Sequence, residues 1–347
     1  MDFSKVLINW YLKNNRELPW RKTKNPYHIW LSEIMLQQTR VAQGLPYYLK
    51  FTEAFPTVFD LANADESYVL KLWQGLGYYS RARNLHFTAK YIAEELNGVF
   101  PNTYKGLLKL KGVGDYTASA IASICYNEPT AVVDGNVYRV LSRYYGIDTP
   151  INSTKGIKDF KELAQQIIDK ENIGTYNQAI MDFGAIQCKP KSPNCGECPL
   201  SDSCIALAKN RVDELPVKEK KLKIKKRYFN YLVVENNGET ILNKREGKGI
   251  WEGLYEFPLI ETNKSIDVED LVNTAEFNKL FNEEVKIQLF NTKDVVHKLS
   301  HQHLFTKFWI VTTKNLEAEL IKWKNVAEYP VPVLINNFLL EYKKQNN

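Results

Sequence analysis

Four cysteines within seventeen residues, Cys188, Cys195, Cys198 and Cys204, constrain this chain more than any other feature. Their spacing is C-x6-C-x2-C-x5-C. Thiolates so close in sequence converge on one metal centre only if the chain between them wraps around it. Pro190, Pro193 and Gly196 suit such a loop. Zinc and an iron–sulfur cluster both accept four cysteines. Zinc sites usually bring their ligands as two close pairs, whereas here only Cys195 and Cys198 form one, so the spacing favours a cluster and leaves zinc open. A disulfide framework is not expected. The fifth cysteine, Cys125, lies on an apolar helical face, where a buried structural thiol is expected.

The chain has 347 residues, more than one compact core organises, and its texture changes near residue 212. Residues 1–211 read as short helices separated by punctuated turns. Pro19, Pro26, Pro46, Pro56 and Pro101 each fall where a helix start is expected. Apolar residues recur at helical spacing in 29–36, 69–73, 118–125 and 160–168. The first fifteen residues form an amphipathic pattern with Leu7, Trp10 and Tyr11 on one side. The run 212–227, VDELPVKEKKLKIKKR, is crowded with lysine around Pro216 and reads as an exposed linker. Beyond it, YFNYLVVE and ETILNKRE are strand-like, with Asn236-Asn237-Gly238 between them as a hairpin signal. HLFTKFWIVTT alternates in the same way, and INNFLLEYKKQ is helical. The expected division is a mainly α domain at 1–211, a linker at 212–227 and a small α+β domain at 228–347.

The formal net charge of +6 suits a polyanionic partner without singling one out. The N-terminal segment lacks the basic start and apolar core of a secretory signal. No window approaches ~18 uninterrupted apolar residues, so no membrane span is expected and the cytoplasm is the expected compartment.

Three further motifs carry chemistry. In LKGVGDYT, Gly112, Val113 and Gly114 form a tight turn between helical stretches, with Asp115 expected to cap the helix that follows. Amides facing outward there would suit a DNA phosphate, although a plain helix–turn–helix connection reads the same way. In SEIMLQQT, Glu33 is a lone acid in an apolar helix, costly to bury unless paired or functional; a surface glutamate is the bland alternative. In VVDGNV, Asp134 ends an apolar run.

Together SEIMLQQTRV, GLGYYSRARNL, LKGVGDYT, VVDGNVYRV and the four-cysteine loop resemble, in order, the helix–hairpin–helix DNA glycosylases, specifically their adenine DNA glycosylase branch. The resemblance implies a helix–hairpin–helix glycosylase fold, with residues 188–204 holding a [4Fe–4S] cluster. The related endonuclease III type carries a lysine two residues after the second hairpin glycine, used for Schiff-base chemistry and strand cleavage. Here that residue is Tyr116. Those relatives also lack a counterpart of Glu33. Simple base excision is therefore expected. By resemblance, Glu33 protonates the flipped adenine at N7, Asp134 stabilises the oxocarbenium-like sugar, and Tyr116 and Asn136 position them. Gln38 and Tyr78 match residues that fill or wedge the gap left in the duplex. The expected partner is double-stranded DNA with adenine opposite 8-oxoguanine or guanine, and nothing demands more than a monomer.

GIWEGLYEFP and KLSHQH in the C-terminal part resemble the Nudix-like domain with which this family inspects the opposite base. The Nudix hydrolase signature is absent from 228–347, so magnesium-dependent pyrophosphohydrolysis is not expected. The family's Phe-Ser-His triplet stands here as Leu299-Ser300-His301. Ser300 and His301 can keep their hydrogen bonds, whereas Leu299 replaces the aromatic ring. Two rival readings rest on the same residues. Tyr116 argues against a glycosylase-lyase for oxidised pyrimidines, and the pair Glu33 and Asp134 argues against a DNA-binding or redox-sensing module without catalysis.

Overall fold

Local signals start the first helices. Asp2 caps α1 (Phe3–Asn14), its Oδ1 accepting from the Ser4 amide at 3.1 Å. Asn25 caps α2 (Pro26–Leu36), accepting from the Tyr27 amide at 2.9 Å, with Pro26 at the first helical position. The computed structural model describes residues 2–219, 224–314, 316 and 318–346. The helices α3 (Val41–Ala54), α4 (Val58–Asn63), α5 (Glu66–Leu72), α6 (Ser80–Glu95) and α7 (Tyr104–Leu107) follow. After them come α8 (Asp115–Tyr126), α9 (Gly135–Tyr145), α10 (Thr154–Ile167), α11 (Ile173–Ile186) and α12 (Ile205–Ala208). Pro46 departs from expectation: α3 begins at Val41 after an extended Arg40, so the proline lies inside the helix, where its ring nitrogen cannot bond the Ala42 carbonyl.

By its contacts the chain divides into two units, Met1–Asn63 with Asn84–Lys220, and Ala64–Arg83 with Lys221–Asn347. In the first unit α1 and α9 pack on α11, and α8 packs on both α2 and α11. Leu7, Leu141, Phe160, Ala179 and Ile180 are buried there. Each large apolar side chain so buried contributes roughly 1.5–3 kcal/mol. Trp10 is only partly buried, its ring edge-on to Phe183 at 5.0 Å. Glycine lets α11 approach α9: a Cβ on Gly184 would meet the Asn136 Cβ at 2.6 Å.

The second unit contains β1 (Lys225–Glu235), β2 (Glu239–Thr240), β3 (Asn243–Lys244), β4 (Tyr255–Glu256), β5 (Leu259–Thr262), β6 (Lys286–Leu289), β7 (Val295–Lys298), β8 (Gln302–Thr312) and β9 (Ile321–Lys322). Besides α5, its helices include α13 (Val268–Val272), α14 (Ala275–Leu280) and α15 (Val333–Asn346). The main sheet runs β5-β1-β8-β6, with β7 also on β8. β1 and β8 are parallel, Leu232 opposite Trp309, and the other pairs are antiparallel. The turn at Asn236-Asn237-Gly238 forms as expected: Asn237 and Gly238 take φ values of 49° and 83°, and Asn236 and Glu239 exchange backbone bonds of 3.0 and 2.8 Å. The expected second strand does not continue along β1: β2 pairs β9 and β3 pairs β4.

Two boundaries differ from the sequence reading. Residues 64–83, expected to belong with the helical half, group with the C-terminal unit. Lys71 Nζ donates to the Tyr329 carbonyl at 3.0 Å, and Gln74 Nε2 donates to Asn336 Oδ1 at 2.9 Å. The segment 212–219, expected to be exposed, is docked on the first unit: Leu215 is buried, and the Ile151 amide donates to the Val217 carbonyl at 3.0 Å. An apolar residue within a charged run supplies the anchor. At the other end of the expected linker, 225–227 are part of β1, while 220–223 lie outside the described residues. Among the described residues no helix is long and apolar enough to cross a membrane.

Candidate active site

α2 is apolar on nearly every face, and the one acid in its middle, Glu33, is 9% exposed. Burial pushes its carboxyl up to about 7. A hydrogen bond from Tyr116 and the charge of Arg21 pull it back, and Asp134 nearby raises it. Tyr116 sits in the first turn of α8, just after the glycine turn, and its hydroxyl also lies 3.1 Å from Met181 Sδ. Asp134 caps α9. Its Oδ1 accepts from the Asn136 and Val137 amides at 2.9 and 2.8 Å, and its Oδ2 accepts from Asn136 Nδ2 at 2.7 Å. Burial raises the Asp134 carboxyl above its ordinary value against the pull of these bonds.

Glu33, Tyr116, Asp134, Asn136 and Gln38 all line one cavity of about 690 Å³. Gln38 follows α2 in the left-handed region, φ 58°. Cys125 is half-buried near Glu33, and burial holds its thiol at about 12. Elsewhere in the first unit, the glycine turn brings a buried Val113 between Gly112, at φ 81°, and Gly114. Gly114, with extended φ and ψ of −90° and −179°, is the N-cap of α8. This corrects the expected role of Asp115, which is instead the first helical residue and pairs with Lys161 and Tyr104. In the second unit Ser300 and His301 are exposed in the turn between β7 and β8, with Leu299 half-buried. Tyr78, half-exposed at φ 49°, has its hydroxyl 2.7 Å from Ser300 Oγ.

The cysteines occupy a separate cavity. All four line it, together with Arg143. Arg143 Nη1 lies 3.4 Å from Cys188 Sγ and 2.7 Å from the Lys189 carbonyl, while its Nε donates to the Leu215 carbonyl at 3.1 Å. Four sulfurs around a shared cavity, with a guanidinium to offset thiolate charge, suit a cluster.

Sequence reasoning missed the arginines that support both sites. Arg139 Nη2 donates to Asn136 Oδ1 at 2.8 Å, and its Nε donates to the Cys188 carbonyl at 2.7 Å. Asp182 is fully buried on α11 and bonded by Arg16 and Arg21, which line the same cavity as Glu33. Burial alone would raise its carboxyl, but these bonds hold it below its ordinary value. The signal was available for Asp182, a lone acid in an apolar helix like Glu33; Arg139 and Arg143 show only an i,i+4 spacing in α9, and their contact with the cysteine loop arises from packing.

A helical fold with a glycine turn, a buried acid pair across one cavity and a cysteine-lined loop defines the helix–hairpin–helix base excision class. Residues 31–193 match the HhH-GPD superfamily of base excision DNA repair proteins, residues 188–204 the iron–sulfur binding domain of endonuclease III, and residues 230–341 the NUDIX domain. The adenine DNA glycosylase of Buchnera aphidicola (strain Bp) is 38% identical over 316 residues, 90% of this chain and 87% of that protein. The human adenine DNA glycosylase is 43% identical over 221 residues, 61% of this chain and 40% of that one. This chain belongs to the adenine DNA glycosylases. A thermostable thymine-DNA glycosylase structure aligns with TM-score 0.56 and 30% identity, covering 60% of this chain and 95% of that one. Endonuclease III in a DNA complex shares the fold, with TM-score 0.52 and 24% identity, covering 60% and 94%. The cofactor of residues 188–204 is a [4Fe–4S] cluster, and Cys188, Cys195, Cys198 and Cys204 are the sulfurs available to it.

Proposed function

We propose that this chain flips adenine paired with 8-oxoguanine or guanine out of duplex DNA and removes it by hydrolysis, leaving an abasic site without strand cleavage. The observation that carries this reading is a buried Glu33, its carboxyl held at about 7, in the same cavity as Asp134. An acid that keeps its proton near neutrality can donate it to N7 of adenine. The C1′–N9 bond then breaks, its electron pair leaving with the protonated base. The Asp134 carboxylate, the cap of α9, faces the cationic sugar, either as a counter-charge or by transient capture. Glu33, now ionised, takes a proton from the water that adds at C1′. Asn136 holds Asp134, and Tyr116 holds Glu33.

Among the described residues lining the cavity there is no lysine to form a Schiff base, which favours hydrolysis alone. A cavity of about 690 Å³ has room for a flipped base. Gly112, Val113 and Gly114 would hold a phosphate through backbone amides, with Gln38 and Tyr78 filling the gap in the duplex. Ser300 and His301 would read the base opposite. On this reading catalysis and the cluster belong to 1–211 and opposite-base reading to 228–347, in a cytoplasmic monomer. The cluster would hold residues 188–204 folded rather than react with substrate.

Single-turnover assays on duplexes with adenine opposite 8-oxoguanine, adenine opposite guanine, and thymine glycol test the reading. The expected result is adenine loss from the first two duplexes, with breaks only after alkali. Cleavage of thymine glycol, or breaks without alkali, would replace it with a glycosylase-lyase.

A further inference from the structure

The segment 64–83 groups by contact with the C-terminal unit, and two residues near its C-terminal end, Tyr78 and Arg83, meet that unit differently. At Tyr78 the contact is a single hydroxyl pair with Ser300, 2.7 Å long and exposed. At Arg83 it is a two-point grip: Nη1 donates to the Glu252 carbonyl at 2.6 Å, and Nη2 donates to Glu252 Oε2 at 3.0 Å. The Arg83 and Glu252 side chains are 18% and 37% exposed, so water screens the pair only in part. Next along, Gly253 turns at φ 80°, and a Cβ there would lie 3.3 Å from Leu70 Cδ1. On the other side of Glu252, Trp251 is held at φ 61°. For so bulky a residue this backbone is strained and persists only when its surroundings enforce it. Its ring packs against His297 of β7 at 5.7 Å, and β7 leads directly into the turn bearing Ser300.

These contacts close a ring: Tyr78, Arg83, Glu252, Trp251, His297, Ser300 and back to Tyr78. We propose that the Arg83–Glu252 pair is a specificity-determining clamp, setting where the Ser300 hydroxyl stands against the Tyr78 ring and so how sharply the chain prefers 8-oxoguanine over guanine. The pair touches neither base; Arg83 and Glu252 are positioning residues. The inference rests on the proposed reading of the opposite base by Ser300.

The test is the ratio of single-turnover excision rates on the 8-oxoguanine and guanine duplexes for Arg83→Met, Arg83→Lys, Glu252→Ala, the Arg83→Met/Glu252→Ala double variant and Ser300→Ala. Iron content and thermal melting are read alongside. Arg83→Met should lower the ratio about fivefold, mainly by raising relative activity on the guanine duplex, with the rate on the 8-oxoguanine duplex little changed. Glu252→Ala keeps the bond to the backbone carbonyl and should lose less, as should Arg83→Lys. The double variant should match Arg83→Met. An unchanged ratio in Arg83→Met, or equal losses on both duplexes, overturns the clamp. Should Arg83→Met fail to fold, Glu252→Ala decides: a fall in the ratio, even one below fivefold, supports the clamp, and a ratio equal to the parent's overturns it. A Ser300→Ala ratio equal to the parent's sinks the Ser300 reading itself and the clamp with it. A change in Ser300→Ala but none in Arg83→Met sinks the clamp alone.

Discussion

A carboxyl raised by burial leaves a thermodynamic trace that can be measured without substrate. Glu33 titrates at about 7 in the folded chain against 4.5 in the unfolded one. Its contribution to stability is therefore fully present below pH 4.5 and is lost as pH rises through 7. The loss approaches roughly 3 kcal/mol at higher pH. Glu33→Gln removes the ionisation, so its stability should match the parent near pH 4 and exceed it at pH 8, as read by denaturant unfolding across that range. A constant difference between the two would mean the carboxyl is solvated. Excision by the parent should fall as pH rises above about 7, because the acid form is lost. Asp134 differs in kind, since its bonds to Asn136 and Val137 make it both a cap and a charge. Asp134→Asn should nearly abolish excision while sparing duplex affinity in a gel-shift titration; lost binding would point to a collapsed α9 instead.

Within single elements, chain geometry decides which glycines matter. Gly112 combines φ 81° with a Cβ position 2.9 Å from the Asn84 Cβ, whereas Gly114 has extended backbone and open space around it. Gly112→Ala should cost about 1–3 kcal/mol and weaken duplex binding. Gly114→Ala should leave melting nearly unchanged. Equal effects in melting experiments would show that the turn is not held in this conformation. The glycine turn, the helix start at Pro26 and the turn at Asn236-Asn237-Gly238 were legible in the sequence, because each depends on residues within a few positions. Asp115 was misread for a local reason as well. A polar residue beside the turn looks like a cap, but the extended residue before the helix is Gly114.

For the molecule as a whole, α9 ties several distant segments together. Arg143 bonds the carbonyls of Lys189, Pro190 and Leu215, and Arg139 bonds Asn136 and the Cys188 carbonyl. Arg143→Met should leave three acceptors of the cysteine loop and the docked 212–219 segment without their cation, at about 1–3 kcal/mol each where buried. Purified variant should carry less iron per chain than the parent and melt lower; full iron occupancy would show that the cysteines suffice. The sequence by itself determined the helical and mixed halves and the close grouping of the four cysteines, since periodicity and motif spacing are short-range; the resemblance to the adenine glycosylases added the cluster and singled out Glu33, Tyr116, Asp134 and Asn136. Only the tertiary structure decided that those four share a cavity, that 64–83 belongs with the C-terminal unit, and that Arg83 meets Glu252. Asp134 and Asn136 aside, those partners lie tens to hundreds of residues from one another. Their pairing is set by packing and by the need to satisfy buried charge, which no local pattern encodes.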